Sequence, residues 1–396
     1  MKRNSLLLLF FISLIPTSQA QVQLSVYSEV SIVTADSGSE LFEAFGHSAI
    51  RIKDPVLQLD IIYNYGMFDF NAPNFYTNFV KGKLLYKLGR QRFERFIDSY
   101  NYQKRWVKQQ VLNLNQQEKQ AFFIYLENNA TPNNRQYLYD PYYNNCATKL
   151  RDLSTILLGE KIHFPPLNSI EKKQSLRSLM EEEIPWNTWG SFGINLALGN
   201  QLDQVVPEED YMYLPDYVFQ KFKVATINRD GNVENLVKRD EALLTHPNQT
   251  YQTQFISPFL IFSLLSLFGI WITYKDYKKR KRTKWIDFLS FFFTGILGIV
   301  LVFLWFFTNH STTPNNFNVL WTFAPNLCIA FLFLKEKPNK WLRLYVNIVA
   351  LLLIVLLIFW SLGIQSFPLA ALPFILFLFV RYRFLQKISL NPNFKS

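Results

Sequence analysis

The sequence predicts an α+β exported domain of about 230 residues followed by an all-α bundle of about five transmembrane helices. Three observations carry this. The chain begins with a basic, then apolar, then small-residue segment; it turns to long apolar runs after Phe255; and its Lys and Arg collect in alternate loops between those runs.

Met1-Lys2-Arg3-Asn4 precedes an apolar stretch from Leu6 to Ile15 and then Ser18-Gln19-Ala20, the order of a cleavable signal peptide over residues 1–20. The mature chain is expected to start at Gln21. The apolar run is too short to span a bilayer, which argues against an uncleaved anchor.

The apolar runs at 255–274, 286–308, 320–334, 346–363 and 367–380 are each near the roughly 20 residues that a spanning helix needs. The third and fifth are short, which leaves a re-entrant segment and counts of four or six open. Loop charge favours five, because cations stay on the cytoplasmic side. The segment from Lys275 to Arg282 is intensely basic, Lys335 to Arg343 carries four cations and the tail from Arg381 four more, whereas 309–319 and 364–368 carry none. Residues 21–250 then form a periplasmic domain on a bacterial inner membrane, residues 251–396 form the transmembrane domain, and the C-terminus is cytoplasmic.

The net charge of +11 invites a nucleic-acid reading that regional counting removes. Residues 21–254 hold 24 Lys and Arg against 27 Asp and Glu, a slightly acidic balance. No Gly-rich phosphate loop, no His-Glu-x-x-His and no pair of neighbouring cysteines appears, so no metal and no cofactor is expected.

Within the soluble part, Gln23 to Thr34 reads as a strand and Leu41 to Phe45 as a turn or short helix. His47 to Ile52 and Leu57 to Tyr65 read as a hairpin around Lys53-Asp54-Pro55. Residues 90–126 carry helical spacing, 165–215 are loop-rich, and 225–254 form a polar connector. A helix opens at Asn144 or Asn145, either of which could cap it, and presents Leu150, Leu153, Ile156 and Leu157 on one stripe.

Two cysteines, Cys146 in the soluble domain and Cys328 in the third apolar run, lie in different media, so no disulfide is expected. Cys146 falls in the first turn of a predicted helix, where the positive end of the macrodipole favours thiolate. His47 falls at the start of a predicted strand and is the side chain best able to move a proton near neutral pH. Strand alternation puts His47, Ala49 and Arg51 on one face, with small Ala49 leaving room for the cysteine helix. Pairing across a turn at Asp54 to Leu57 sets His47 opposite Asn64, which could orient the imidazole. A slip of two residues leaves Asp60, Glu43 and Glu40 as rivals. A single Cys is more often a small buried hydrophobe and a single His more often part of the scaffold; together, each on the expected element, they argue for catalysis. The backbone N–H groups of Cys146 and Ala147 are the expected oxyanion donors.

The order His on a strand, then Asn145-Cys146 opening a helix, resembles the permuted papain-like folds of lecithin:retinol acyltransferase-type and NlpC/P60-type proteins. A closer resemblance covers nearly the whole chain. Phe45-Gly46-His47-Ser48-Ala49-Ile50-Arg51, Tyr63-Asn64-Tyr65-Gly66-Met67-Phe68-Asp69-Phe70, Asn145-Cys146-Ala147-Thr148-Lys149-Leu150-Arg151-Asp152 and Trp189-Gly190-Ser191-Phe192-Gly193-Ile194, with a five-span tail, resemble the lipoprotein N-acyltransferase (Lnb) family of Bacteroides-type bacteria. The resemblance implies a fatty acyl chain moving from a phospholipid, through a Cys146 thioester, to the N-terminal amine of a diacylated lipoprotein cysteine. The partners are then a phospholipid donor, a lipoprotein acceptor and the membrane, with no nucleic acid. A papain-like peptidase or cell-wall amidase, and a non-catalytic assembly factor, are the alternatives.

Tyr143 and Asn145 beside the cysteine, and His310 with Asn315 in the loop 309–319, are candidate substrate-binding residues. Arg151 and Asp152 read as fold-supporting residues that pair across elements, Asp203 and Asp216 as turn residues, His163 and His246 as surface residues, and Cys328 as membrane packing.

Overall fold

β1 (Glu29–Ala35) is buried on both faces because it lies inside an antiparallel sheet rather than at its edge. The computed structural model describes residues 22–168, 170, 172–335 and 340–388. The expected signal peptide lies outside the described residues.

Seven strands make the main sheet. In chain order they are β1, β2 (His47–Asp54), β3 (Leu59–Met67), β4 (Leu85–Arg92), β5 (Val107–Leu112), β6 (Gln136–Leu138) and, after β7 (Ile162–His163), β8 (Thr226–Arg229) and β9 (Asn232–Asn235) have formed a small second sheet, β10 (Val237–Leu244). The main sheet runs β10-β5-β1-β2-β3-β4-β6, so β1 and β10, the first and last strands of the soluble domain, flank β5. The helices of this part are α1 (Phe75–Val80), α2 (Phe93–Tyr102), α3 (Gln116–Asn129), α4 (Cys146–Leu158), α5 (Leu176–Glu183), α6 (Trp189–Ala197) and α7 (Pro215–Val224).

Three sequence readings change here. The helical spacing over 90–126 is cut by β5, whose Val107, Gln109, Gln110 and Val111 are buried between β1 and β10; sheet pairing overrides local periodicity. The loop-rich stretch 165–215 contains α5, capped by Ser175, and α6, capped by Thr188. The polar connector contains β8 to β10, and β10 covers an edge that β5 would otherwise expose.

The sheet has a core on each face. Ile32, Ile50, Ile52, Tyr63 and Tyr65 pack with α4 through Cys146, Ala147, Leu150 and Leu153, and with Phe122 and Leu126 of α3. On the other face Val33, Ala35, Ala49 and Ile62 pack against Phe93, Phe96 and Tyr100 of α2. Ala49 thus faces α2, not the cysteine helix as its size suggested.

Among the described residues four helices are long and apolar enough to cross a membrane: α8 (Pro258–Lys279), α9 (Lys284–Phe306), and, after the short α10 (Asn326–Ala330), α11 (Lys340–Ser361) and α12 (Leu372–Ile388). The expected third span, 320–334, is not a continuous helix. It is a 3₁₀ turn (Phe317–Leu320), α10 around Pro325, and a second 3₁₀ turn (Phe331–Leu334). Its first residues bond the soluble domain through Asn318 Nδ2 to the Asn195 carbonyl at 3.1 Å, and its end accepts a hydrogen bond from Arg282 at the Phe333 carbonyl. It therefore runs the length of the bundle, as a broken segment.

Irregular backbone at this depth survives only where protein satisfies it. Thr322 Oγ1 donates to the Asn318 carbonyl at 2.9 Å, Asn326 Nδ2 to Thr294 Oγ1 at 3.0 Å, and the Tyr345 hydroxyl to Asn326 Oδ1 at 2.5 Å. On α9, Gly295 and Gly298 let this backbone approach: a Cβ there would stand 2.1 Å from the Leu327 nitrogen and 1.6 Å from the Thr322 oxygen.

Two cations counted with the cytoplasmic segments are internal. Arg282 pairs with Asp287 at 2.8 Å, and Arg381 pairs with Asp287 at 2.6 Å and Asp276 at 2.9 Å, all with nearly fully buried side chains. Cys328 is a free thiol on the surface of the bundle.

Candidate functional site

The site forms where β2 and β3 separate. Their ladder runs from Asp54↔Leu59 to Ile50↔Tyr63 and stops. This register is two residues away from the expected one, because a four-residue turn lies between Asp54 and Leu59. Asn64 is therefore offset from His47 rather than directly opposite. Beyond Asn64 the β3–β4 pairing is irregular, and Gly66 takes φ +90°, which favours glycine. The Cβ it lacks would lie 3.7 Å from both Cys146 Cβ and a Tyr139 ring carbon, so the bend in β3 brings the start of α4 to the opening.

α4 starts at Cys146 because Asn145 stops the backbone from continuing backward. Asn145 Oδ1 accepts from the N–H groups of Ala147 and Thr148, each at 2.9 Å, while Thr148 Oγ1 accepts from the Asn145 N–H at 2.8 Å. The other end of the amide donates to the carbonyls of Pro141 at 2.7 Å and Tyr213 at 2.8 Å. The whole Asn145 side chain is thus engaged in placing the helix. The Ala147 N–H, expected to face an oxyanion, is shared between this cap and the sulfur.

Cys146 is buried and His47 half-buried. His47 Nε2 lies 2.5 Å from Asn64 Oδ1. An amide oxygen can only accept, so Nε2 carries the proton there, and Nδ1 is the ring nitrogen left for the sulfur. Burial disfavours charge on the His47 ring, but the sulfur of Cys146 and the Asn64 amide outweigh it and raise the imidazole pKa above its ordinary value. Burial likewise disfavours a thiolate at Cys146. The His47 charge, its hydrogen bond to sulfur, and the Ser48 and Ala147 N–H groups prevail and hold the thiol pKa low. Both shifts run in the direction that favours thiolate beside imidazolium.

The rival orienters are occupied elsewhere. Asp60 forms a two-pronged bond with Arg51, both contacts 2.7 Å, and Arg51 also lies over the Phe93 ring. Glu43 pairs with Arg105 at 3.4 Å, and Glu40 precedes the 3₁₀ turn Leu41–Glu43. Arg151 and Asp152 pair with each other at 2.8 Å on one helix, and Arg151 alone reaches across to another element, donating to the Glu209 carbonyl at 3.2 Å.

Two features escaped sequence reasoning. Arg105 is buried, bonds the Asp36 carbonyl, and its charge opposes the His47 proton. Tyr137 and Tyr139 crowd the thiol, and burial first, then the nearby sulfur, pushes both phenols up, so they stay neutral. The signal was present as a tyrosine-rich run just upstream of Asn145.

Residues 17–180 match the Lnb N-terminal periplasmic domain, and residues 250–391 match the Lnb transmembrane domain. The chain belongs to the Lnb family. No curated protein and no solved structure matches it.

In this Lnb chain the two domains meet along a polar seam close to the thiol. Ser311 Oγ donates to Asp140 Oδ2 in the turn that precedes Cys146. Gly199 N–H donates to the Thr312 carbonyl at 2.8 Å, Asn200 N–H to the Asn315 carbonyl at 3.1 Å, and Asn316 Nδ2 to the Leu196 carbonyl at 2.7 Å. Buried Arg177 holds Asp203 at 3.0 Å, and Asp203 in turn accepts from the Ser366 N–H at 2.9 Å, so Asp203 is a bridge between domains rather than a simple turn residue. His310 Nε2 meets the Val80 carbonyl at 3.1 Å, and Asn315 adopts φ +56° in the same loop. Both belong to this seam, while Tyr143 keeps a half-exposed ring beside the cysteine turn.

Proposed function

We propose that this Lnb-family protein is a lipoprotein N-acyltransferase whose nucleophile is Cys146, with His47 as proton carrier and Asn64 as the residue that orients it. The observation that carries the reading is the thiol at the start of a capped helix against an imidazole whose far nitrogen is held by an amide oxygen. The sequence of elements, His on a strand and Cys at the start of a later capped helix, supports a permuted papain-like domain.

In the first half-reaction the Cys146 sulfur attacks the carbonyl carbon of a phospholipid ester. An S–C bond forms, the ester C–O bond breaks, and the His47 imidazolium gives its proton to the leaving lysophospholipid oxygen. In the second, the amine of a diacylated lipoprotein cysteine attacks the thioester. An N–C bond forms, the C–S bond breaks, and His47 takes the amine proton, which restores the thiolate–imidazolium pair. With the Ala147 N–H engaged in the cap, the Cys146 N–H is the helix-start donor assigned to the oxyanion.

The catalytic domain, residues 21–250, is assigned to the periplasmic face of the inner membrane and the C-terminus to the cytoplasm. The bundle supports this because it brings lipid substrate to the end where the soluble domain is seated. Among the other candidate contacts, Tyr143 and His310 are accessible, and Asn145 acts through the helix it caps.

The decisive experiment is intact mass spectrometry of the protein in phospholipid vesicles, with lipoprotein N-termini compared in cells with and without it. A thiol-linked acyl adduct that is absent from Cys146→Ala, and an amide-linked third chain that disappears from the lipoproteins, are expected. Unchanged lipoproteins, or a cleaved peptide in place of the adduct, would overturn the reading.

A further inference from the structure

Apolar rings collect on one outer face of the soluble domain. Phe42 is 62% exposed, Phe70 54%, Tyr76 71% and Phe79 53%, the last two on α1. Scattered exposed apolar residues are ordinary, but contiguous aromatic surface marks a place where something binds. These rings also continue inward. Phe42 meets Phe68 at 6.2 Å between ring centroids, Phe70 meets Phe68 at 4.9 Å, Phe68 meets Tyr86 at 5.3 Å, and Tyr86 stacks on Tyr139 at 4.2 Å. Tyr139 and Cys146 flank the same vacant side of Gly66. An unbroken track of rings therefore leads from solvent to the thiol.

The outer end of the track is fixed to the membrane domain. The Asn309 N–H donates to the Lys81 carbonyl at 2.9 Å, and His310 Nε2 meets the Val80 carbonyl at 3.1 Å, so α1 is held at the end of α9. There Phe306 and Phe307 are exposed, and Lys81 and Lys83 stand solvent-exposed beside α1. Aromatic rings next to lysines at the end of an apolar helix are the composition of a headgroup boundary. A soluble protein partner would leave the inward half of the track unused. A hydrocarbon tail uses both halves.

We propose that this track is the cradle for one acyl tail of a membrane phospholipid, with α1 lying at the headgroup boundary and the tail running past Phe68 and Tyr86 so that its ester reaches Cys146. The inference rests on the acyl-transfer reading and adds to it the route by which the donor enters.

The test uses the full-length Cys146→Ala protein, which cannot consume the donor, in phosphatidylethanolamine and phosphatidylglycerol vesicles doped with a phospholipid that carries a diazirine at the end of one acyl chain. After irradiation, mass spectrometry is expected to find adducts within residues 68–86, reduced at least fivefold by adding Tyr76→Ser and Phe79→Ser, with labelling of α8 and α11 unchanged. Adducts confined to the bundle helices would overturn the proposal even if every variant folded, because that result is read in the background protein itself. The wild type is examined in parallel for the thioester. Labelled rings in a protein that never forms a thioester support the lipid cradle and overturn the acyl-transfer reading; a thioester without labelled rings does the reverse.

Discussion

His47 reaches Asn64 at 2.5 Å although strand pairing does not place them opposite each other. The last ladder pair is Ile50↔Tyr63, and the two side chains meet in the opening beyond it, where the sulfur of Cys146 also enters. The bond orients the ring, because only Nε2–H can donate to an amide oxygen, and that leaves Nδ1 for the sulfur.

Replacing either member of the pair removes the nucleophile or its proton carrier. Cys146→Ala should abolish thioester formation, and His47→Ala should slow it by a factor on the order of 10³ or more. Single-turnover acylation with a labelled phospholipid measures both. Wild-type acylation rates in either variant would remove these residues from the mechanism.

The pH dependence follows from the two shifts. The thiol is lowered and the imidazole raised, so relative to a free thiol and a free imidazole the acid limb of acylation, set by thiolate formation, should lie at lower pH and the alkaline limb, set by loss of the imidazolium proton, at higher pH. Asn64 favours the charged ring, so Asn64→Ala should move the alkaline limb to lower pH and reduce the rate about 10- to 100-fold by loosening the ring. An unmoved alkaline limb in that variant would contradict the orienting role.

Asn145→Ala removes a helix cap and leaves the carbonyls of Pro141 and Tyr213 without their donor. A loss of about 1–3 kcal/mol is expected, seen as a lower melting temperature in detergent. Acylation should fall with it, since the thiol sits on the first residue of that helix. Equal stability and activity would show that α4 is placed by its packing alone.

At Gly66 an alanine meets no closer contact than 3.7 Å, so space is available and backbone conformation decides. With φ +90°, Gly66→Ala should cost on the order of 1–3 kcal/mol and disturb the seat of Cys146. Thermal melting reads the first effect and acylation the second.

Asp287 holds two buried arginines, Arg282 and Arg381. Asp287→Asn leaves both partly uncompensated and should destabilise the bundle by about 3–5 kcal/mol, because a buried charge without its partner is costly. A melting temperature unchanged in detergent would show that Asp276 alone holds Arg381.

Much was legible before any fold was known. The apolar runs near 255–274 and 286–308 reappear as α8 and α9, since a helix in lipid must bond its own backbone and needs only length and composition to be recognised. The placement of Cys146 at a helix start was visible because a capping asparagine and the cysteine are neighbours in the chain, and the information is local.

What the tertiary structure alone decided depends on partners distant in sequence. β5 is a strand because β1 and β10 flank it, though its own spacing reads as helix. The third traverse is broken because Gly295 and Gly298 admit its backbone and Asn326 finds Thr294, relations that no window of twenty residues contains. The hairpin register set which residue holds His47, because a two-residue slip preserves the face of every side chain while changing its neighbour. By itself the sequence determined a strand-and-helix domain with a candidate Cys–His pair and an apolar bundle behind it; the fold decided that the pair opens on a track of rings that ends at the membrane domain.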